Sequence, residues 1–182
     1  MHWSKSIWWL DAFDQYCRKC KRNAYVLRLV MESHLVKPNL RDFQRAKFYR
    51  FEEAVIQRHP LNHLLSLDQC RVLAHKYNAT VAVKDGRGRR HAGASYEDNL
   101  ITLPRWSRQT TIVLHEVAHT LVDSQYYPHH GAEFAGVLIG LLSRESIGTV
   151  ESNTGAMLAA RLKIDINWIF REAFLQRNKT LR

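Results

Sequence analysis

A mostly aliphatic stretch in the middle of the chain carries three ionisable side chains. Between residues 112 and 122, seven of the eleven residues are aliphatic, and this density predicts a helix that is buried in the core. His115, Glu116 and His119 interrupt the stretch. Because unpaired polar groups are costly to bury, the fold has to place partners for these three side chains around the helix.

The spacing of the three side chains fits metal coordination. Residues four apart lie on the same face of a helix, so His115 and His119 can offer nitrogen atoms to one Zn²⁺ ion at about 2.0–2.1 Å. Glu116 lies about 100° further around the helix, where it can take a proton from water that the metal activates. The pattern H-E-x-x-H therefore indicates a hydrolytic zinc site with Glu116 as catalytic base. Two hydrogen-bonded core histidines are the structural alternative.

A catalytic zinc ion needs a third protein ligand and an open coordination position. The candidates are His130, His129 and Glu133, which follow the helix after a loop. His130 is favoured because Gly131 permits a tight turn beside it and Phe134 can anchor the next helix below the site. His129 and Glu133 stay open as alternatives. The cofactor is predicted to be Zn²⁺, and its predicted ligands are His115, His119 and His130.

The order of the periodic segments predicts an α+β domain. We expect a small, mostly antiparallel sheet that packs on the metal-binding helix, with additional N- and C-terminal helices. Predicted helices cover residues 39–57, 66–78, 108–122, 134–142 and 156–175, and predicted strands cover 79–83, 89–96 and 100–103.

Local signals assign ends and buried faces to several of these segments. Ser66 and Ser107 can each cap a helix. Residues 85 and 86, Asp-Gly, predict a turn after the first strand. The buried faces are predicted to be Phe43, Ala46, Phe51, Ala54 and Val55 in the first helix, and Leu158, Leu162, Ile166, Ile169 and Phe170 in the last.

Composition favours a cytoplasmic globular protein. The 182 residues are 46% hydrophobic and 24% charged, as in folded domains. No apolar run is long enough to cross a membrane and the N-terminus does not read as a signal peptide, so no membrane partner is expected. Three cysteines fit a reducing compartment better than a disulfide framework. Cys17 and Cys20 have C-x-x-C spacing, which leaves a partial metal site or a redox pair open.

The charge of the chain is unevenly distributed. The net charge is +10, while residues 109–160 contain one arginine and five acidic side chains. The segments on either side, residues 1–108 and 161–182, are basic and can bind nucleic acid or another polyanion, or they can be solubilising surface. The oligomeric state is not predicted.

The two histidine motifs resemble those of zincin metallopeptidases. H-E-V-A-H at 115–119 and H-G-A-E-F at 130–134 are similar to motifs of SprT-like and related zincins, and most similar to a metallohydrolase family of actinobacteria and their phages. Residues 41–49, RDFQRAKFY, resemble a helix in the same pattern. The resemblance covers about residues 40–145. It implies a zincin-like metallopeptidase domain, which we assign to residues 39–182. The sequence pattern, strongest over residues 25–35, predicts an N-terminal helical extension over residues 1–38.

The resemblance also implies an activity and a way of holding substrate. The protein would be a zinc metallopeptidase that acts on a protein or peptide, in the cytoplasm of a bacterium or of a phage-infected cell. Zincins bind substrate along an edge strand, and residues 100–103 are the candidate for it. The alternatives are a DNA-associated SprT-like protease that acts on DNA-bound protein, and a non-catalytic zinc-binding interaction domain.

Overall fold

A computed structural model describes residues 40–56 and 58–169 of the chain. Cys17, Cys20, Phe170 and the predicted N-terminal extension lie outside the described residues, so the boundary at residue 38 stays a prediction. The helices are α1 (Arg45–Phe51), α2 (Leu67–Tyr77), α3 (Thr110–Leu121), α4 (Ala132–Arg144) and α5 (Val150–Ala159). The strands are β1 (Ala82–Asp85), β2 (Gly93–Ser95) and β3 (Leu100–Leu103). This order confirms the α+β class.

The three strands form a mixed sheet, and the prediction of a mostly antiparallel sheet was wrong. The strand order is β1-β3-β2, with β1 parallel and β2 antiparallel to β3. The turn after β1 does not make a hairpin, because the chain crosses to the far side of β3 before β2 begins. Residues 100–103 are therefore the central strand. Their prediction as the substrate-binding edge was wrong, and β2 is the edge strand that packs on α3.

The central helix α3 begins two residues later than predicted, and Ser107 does not cap it. The Ser107 hydroxyl donates to the Pro104 carbonyl within a short 3₁₀ turn, Arg105–Ser107. Asn62 performs the capping role from a distant loop. Its side-chain oxygen accepts from the backbone N–H of Thr111 at 3.1 Å, which satisfies a donor in the first turn.

Helix α1 is shorter than predicted and buries a different face. A π-helical turn, Glu52–Ile56, continues it. Phe48 and Phe51 are its buried aromatic residues, whereas Phe43 is 77% exposed and Ala46 and Ala54 are exposed. The predicted apolar stripe was therefore largely wrong, because residues 40–44 are not helical and this segment turns polar side chains inward.

The region after α4 also departs from its prediction. The last described helix, α5, begins at Val150 with a capping box from Thr149. It ends at Ala159, so residues 160–169 do not continue it. Leu162 and Ile169 are buried as predicted, but Leu158 and Ile166 are 57% and 63% exposed. A 3₁₀ turn, Ile166–Trp168, packs against α4 instead of one long helix.

The core lies between the sheet and helices α2, α3 and α4. Residues 134–142 of α4 are all buried, and Ile101 and Leu103 of the central strand are fully buried. In the part of the chain that the structure describes, no helix is long and apolar enough to cross a membrane. The core therefore encloses α3 and brings its histidines next to α1 and the start of α4.

Candidate metal centre

Three histidines from one helix and the loop that follows it converge at one point. His115 and His119 extend from α3, and His130 lies just before α4. One nitrogen atom from each ring lies within 4.8 Å of the other two. His115 and His130 are buried and His119 is partly buried. The three rings are therefore close enough to bind one metal ion.

The donor atoms fit a divalent metal such as zinc. The His130 Nε2 atom is buried and has no hydrogen-bond partner among the described residues. The Nε2 atoms of His115 and His119 lie 3.1 Å apart. A buried nitrogen without a partner is costly, and an ion at this point would satisfy it. Imidazole nitrogen is a preferred ligand of zinc.

Two carboxylates orient the histidine rings from behind. The Nδ1 atom of His115 lies 2.5 Å from Glu52, and that of His130 lies 2.6 Å from Asp42. Each carboxylate accepts a hydrogen bond from Nδ1–H. The Nε2 atom of the same ring is then free to bind a metal. Partners of this kind fix the tautomer and ring orientation of metal-binding histidines. Sequence analysis did not identify Asp42 or Glu52 as site residues.

The aromatic side chains around the histidines hold them in place. Phe134 is fully buried, and its ring centroid lies 4.4 Å from that of His119 in a stacked arrangement. The Phe134 ring also contacts His115 and His130. On the open side, Tyr49 stacks over His115 with a centroid distance of 6.1 Å. The rings have little freedom to rotate away from their common point.

Burial and neighbouring charges set the protonation of the histidines. Burial lowers the pKa of His115, but the charge and hydrogen bond of Glu52 outweigh it, so this pKa lies above its ordinary value. Burial lowers the pKa of His119 well below its ordinary value, and the two neighbouring histidines add to this effect. Burial also lowers the pKa of His130, against the opposing effect of Asp42. Two of the three rings therefore favour the neutral form that binds a metal.

Glu116 lies at the wall of a cavity beside the histidines. The cavity has a volume of about 470 Å³, and its lining includes His115, Glu116, Tyr49, Glu52 and Trp106. The pKa of Glu116 is raised to about 7, because burial and the charge of Glu52 together outweigh the opposing effect of His115. A carboxyl group with this pKa can both accept and release a proton near neutral pH.

The structure also places the residues that were weighed as alternatives. His129 is exposed, with its ring centroid 5.9 Å from that of His119. The Glu133 carboxylate folds back over Gly131, where an added Cβ would meet it at 2.8 Å. Among the described residues, the metal-binding set contains neither of them. His130 is therefore the third histidine of the cluster.

Two tyrosines lie in the loop that leads from α3 to His130. Tyr126 is 54% exposed, and Tyr127 packs edge-on against Trp168 with a centroid distance of 5.2 Å. Tyr49 lies closer to the histidines and was missed, as were Asp42 and Glu52. A signal for them was present, because Asp42, Arg45, Tyr49 and Glu52 are spaced three, four and three residues apart. That spacing marks one helical face, and Arg45, Tyr49 and Glu52 line the cavity.

No protein-family model matches the chain, and no curated protein or solved structure is significantly similar to it.

Proposed function

We propose that this protein is a zinc-dependent peptidase of the zincin type. The observation that carries the proposal is the convergence of three imidazole rings on one point, with the buried Nε2 atom of His130 lacking a partner. Glu116 stands at the wall of the adjoining cavity. A purely structural zinc site would not require this carboxylate.

The ion would be held by His115, His119 and His130. The side chains around them would have separate roles in the reaction. A bound zinc ion supplies Lewis acidity, which makes water nucleophilic at neutral pH. The Glu116 carboxylate takes a proton from the attacking water and returns it to the leaving amine. Glu52 and Asp42 keep two of the histidine rings aligned. We assign stabilisation of the oxyanion to the Tyr49 hydroxyl, because the Tyr49 ring stacks on His115 and lines the cavity.

The β2 edge supports a polypeptide as the substrate. Residues 91 and 92 line the cavity beside Glu116, and residues 94–97 line a second cavity, of about 240 Å³, beside His119. Segment 91–97 thus runs past both sides of the histidine cluster. An extended polypeptide can add to such an edge by backbone hydrogen bonds.

Metal content and peptide hydrolysis test the proposal together. The purified protein should contain about one zinc ion per chain, and His115→Ala and His130→Ala should each lose it. Glu116→Gln should keep the zinc ion and the fold but lose hydrolysis of a quenched fluorescent peptide mixture by about 100-fold or more. Mass spectrometry measures the metal, and circular dichroism checks the fold.

Three outcomes would contradict parts of the proposal. Absence of metal after reloading with zinc would leave His115 and His119 as core histidines. Zinc retained in His130→Ala would move the third ligand to another residue. Zinc bound without any hydrolysis by the wild type would favour a non-catalytic zinc-binding domain.

A further inference from the structure

A second and larger cavity on this face is rich in arginine. Its volume is about 1110 Å³, and we call it the arginine groove. Its charged lining consists of Arg87, Arg89, Arg105, Arg108 and the single acid Asp85. Arg108 is bound to Asp85 at 2.8 Å. The other three arginines are exposed and make no ion pair among the described residues. The groove therefore has an excess of positive charge.

The arginines are held on a fixed backbone. The Gly86 N–H donates to the Leu103 carbonyl at 3.0 Å, and the Arg89 N–H donates to the Gly86 carbonyl at 2.9 Å. A Cβ at Gly86 would lie 2.6 Å from the Pro104 nitrogen, so this turn is packed tightly against the end of β3. Arg87 and Arg89 are thus presented on a preorganised turn, which lowers the entropy cost of binding.

The groove adjoins the cavity of the metal centre. Trp106 lines both of them and is 55% exposed. The chain that carries Arg89 goes on to His91 and Ala92 at the metal cavity and then to the β2 edge. A polymer that lies along segment 91–97 would reach the arginines at one end of its path.

The lining of this cleft favours a polypeptide over a nucleic acid. Leu64, Leu65, Leu67 and Pro104 give the groove an apolar wall, which suits aliphatic side chains rather than a phosphate backbone. At the opposite end of segment 91–97, Glu97 and Asp98 are exposed. A uniformly negative polymer would be attracted at one end of the cleft and repelled at the other.

We propose that the arginine groove selects substrates whose acidic side chains, mixed with apolar ones, lie to one side of the bond that is cleaved. Arg87, Arg89 and Arg105 bind the carboxylates, and the Trp106 ring and the leucine wall take the apolar side chains. Guanidinium groups suit this role because they bind carboxylates in two-pronged hydrogen bonds. This inference rests on the proposed peptidase function.

Binding is measured without turnover in the zinc-loaded Glu116→Gln protein. The probes are a short fluorescein-labelled peptide of Glu, Leu, Gly and Ser, and the same peptide with Gln in place of Glu. We expect the acidic peptide to bind about tenfold more tightly, with an advantage that shrinks in high salt. Adding Arg87→Gln, Arg89→Gln and Arg105→Gln together should remove that advantage.

The control carries the same loss of charge away from the groove. Lys47→Gln, Arg58→Gln and Lys163→Gln change three exposed residues that do not line the groove or either cavity of the metal centre. This triple variant should keep the preference for the acidic peptide. Equal loss in both triple variants would show only an effect of net charge and would overturn the inference.

Two further results would overturn it and are separable from failure of the peptidase. Equal binding of the two peptides, in a protein that holds zinc and cleaves peptides, would refute the proposed role of the arginine groove and leave the peptidase function intact. Tight binding of labelled oligo-dT that the arginine variant abolishes, without binding of the acidic peptide, would assign the groove to nucleic acid. A protein that prefers the acidic peptide but never cleaves any peptide would retain the groove and lose the proposed function.

Discussion

Asp42 and Glu52 show how much of a metal centre lies beyond its ligands. Each accepts a hydrogen bond from the far nitrogen of a histidine ring, at 2.6 and 2.5 Å. Both come from the segment that includes α1, which is far along the sequence from the histidines. The histidines themselves were predictable because H-E-x-x-H is a local pattern. The spacing of their carboxylate partners marks one helical face, but nothing local pairs position 52 with position 115, so these hydrogen bonds could not be predicted.

Removing either carboxylate should weaken metal binding while the three histidines remain. We expect Glu52→Gln and Asp42→Asn each to lower zinc affinity by about 10–100-fold, because the uncharged partner holds the ring less firmly and makes its nitrogen less basic. Competition with a chelating dye measures the affinity. Glu53→Gln changes an exposed neighbour and should have no effect. Unchanged affinity in both carboxylate variants would refute the orienting role.

The buried tyrosine Tyr77 makes the stability of the fold depend on pH in the alkaline range. Burial raises the pKa of its hydroxyl, and the hydrogen bond and charge of Glu145 raise it further. The unfolded chain releases this proton near pH 10, about the ordinary value, whereas the folded chain keeps it. Tyr77 therefore contributes its full stabilisation below about pH 10, and the free energy of unfolding falls as pH rises beyond that value.

The Tyr77→Phe variant tests this dependence. It should be less stable than the wild type near neutral pH, because the bond to Glu145 is lost. Its stability should then fall less steeply between about pH 9 and 11. Denaturant unfolding at each pH measures this slope. Tyr126→Phe, at an exposed tyrosine, should keep the slope of the wild type, and an unchanged slope in Tyr77→Phe would contradict the assignment.

Among the elements, those with local end signals were predicted best. Helix α2 begins at the expected cap, where Ser66 and Gln69 form a capping box. Helix α3 was predicted with the wrong cap, because Asn62 lies 49 positions from the residue it caps. The prediction of a helix over residues 156–175 was wrong for a similar reason. Helical spacing alone could not show that residues 160–169 leave the helix and pack on α4.

Helix α4 accepts this returning segment through two glycines. A Cβ at Gly140 would lie 2.6 Å from the Ile169 carbonyl oxygen, and one at Gly136 would lie 2.3 Å from that of Asp165. We expect Gly140→Ala to lower the free energy of unfolding by about 1–3 kcal/mol, since backbone cannot move aside easily. Chemical denaturation measures this change.

Gly155 offers a matched control in another helix. It is exposed in α5, and an added Cβ there meets nothing within 4 Å. Gly155→Ala should raise the free energy of unfolding by about 0.5–1 kcal/mol, as expected where only the helix preference changes. If both alanine variants were stabilised alike, the close packing of residues 165–169 on α4 would be refuted.

For the whole molecule, the order of segments was enough to predict the α+β class but not the sheet topology. Strands β1 and β3 become parallel neighbours because residues 86–92 cross to the far side of β3, and turn signals do not encode that path. The charge pattern was informative only in part. The arginines of segment 84–108 form a groove, whereas the charge pattern predicted only that the flanks at 1–108 and 161–182 are basic.

Removing the metal should destabilise the whole fold. A ligand that binds only the folded state stabilises it by about 4 kcal/mol at a thousand times its Kd. For a chain of this size, chelation of the zinc-loaded protein should therefore lower Tm by on the order of 10 °C. Differential scanning calorimetry measures Tm. His119→Ala should show no response to chelator, and a wild type without any response would contradict zinc binding at this site.

The two carboxylate–histidine pairs also set an order of assembly. They join residues 63 and 88 positions apart in sequence, whereas His115 and His119 share one turn of helix. Contacts between distant residues close later in folding than local ones, because more chain entropy is lost. The two histidines of α3 therefore come together early in folding, before the carboxylates and His130 fix the orientation of their rings. The complete histidine cluster exists only in the nearly finished molecule, so tight binding of an ion by the proposed centre would mark the end of folding rather than its start.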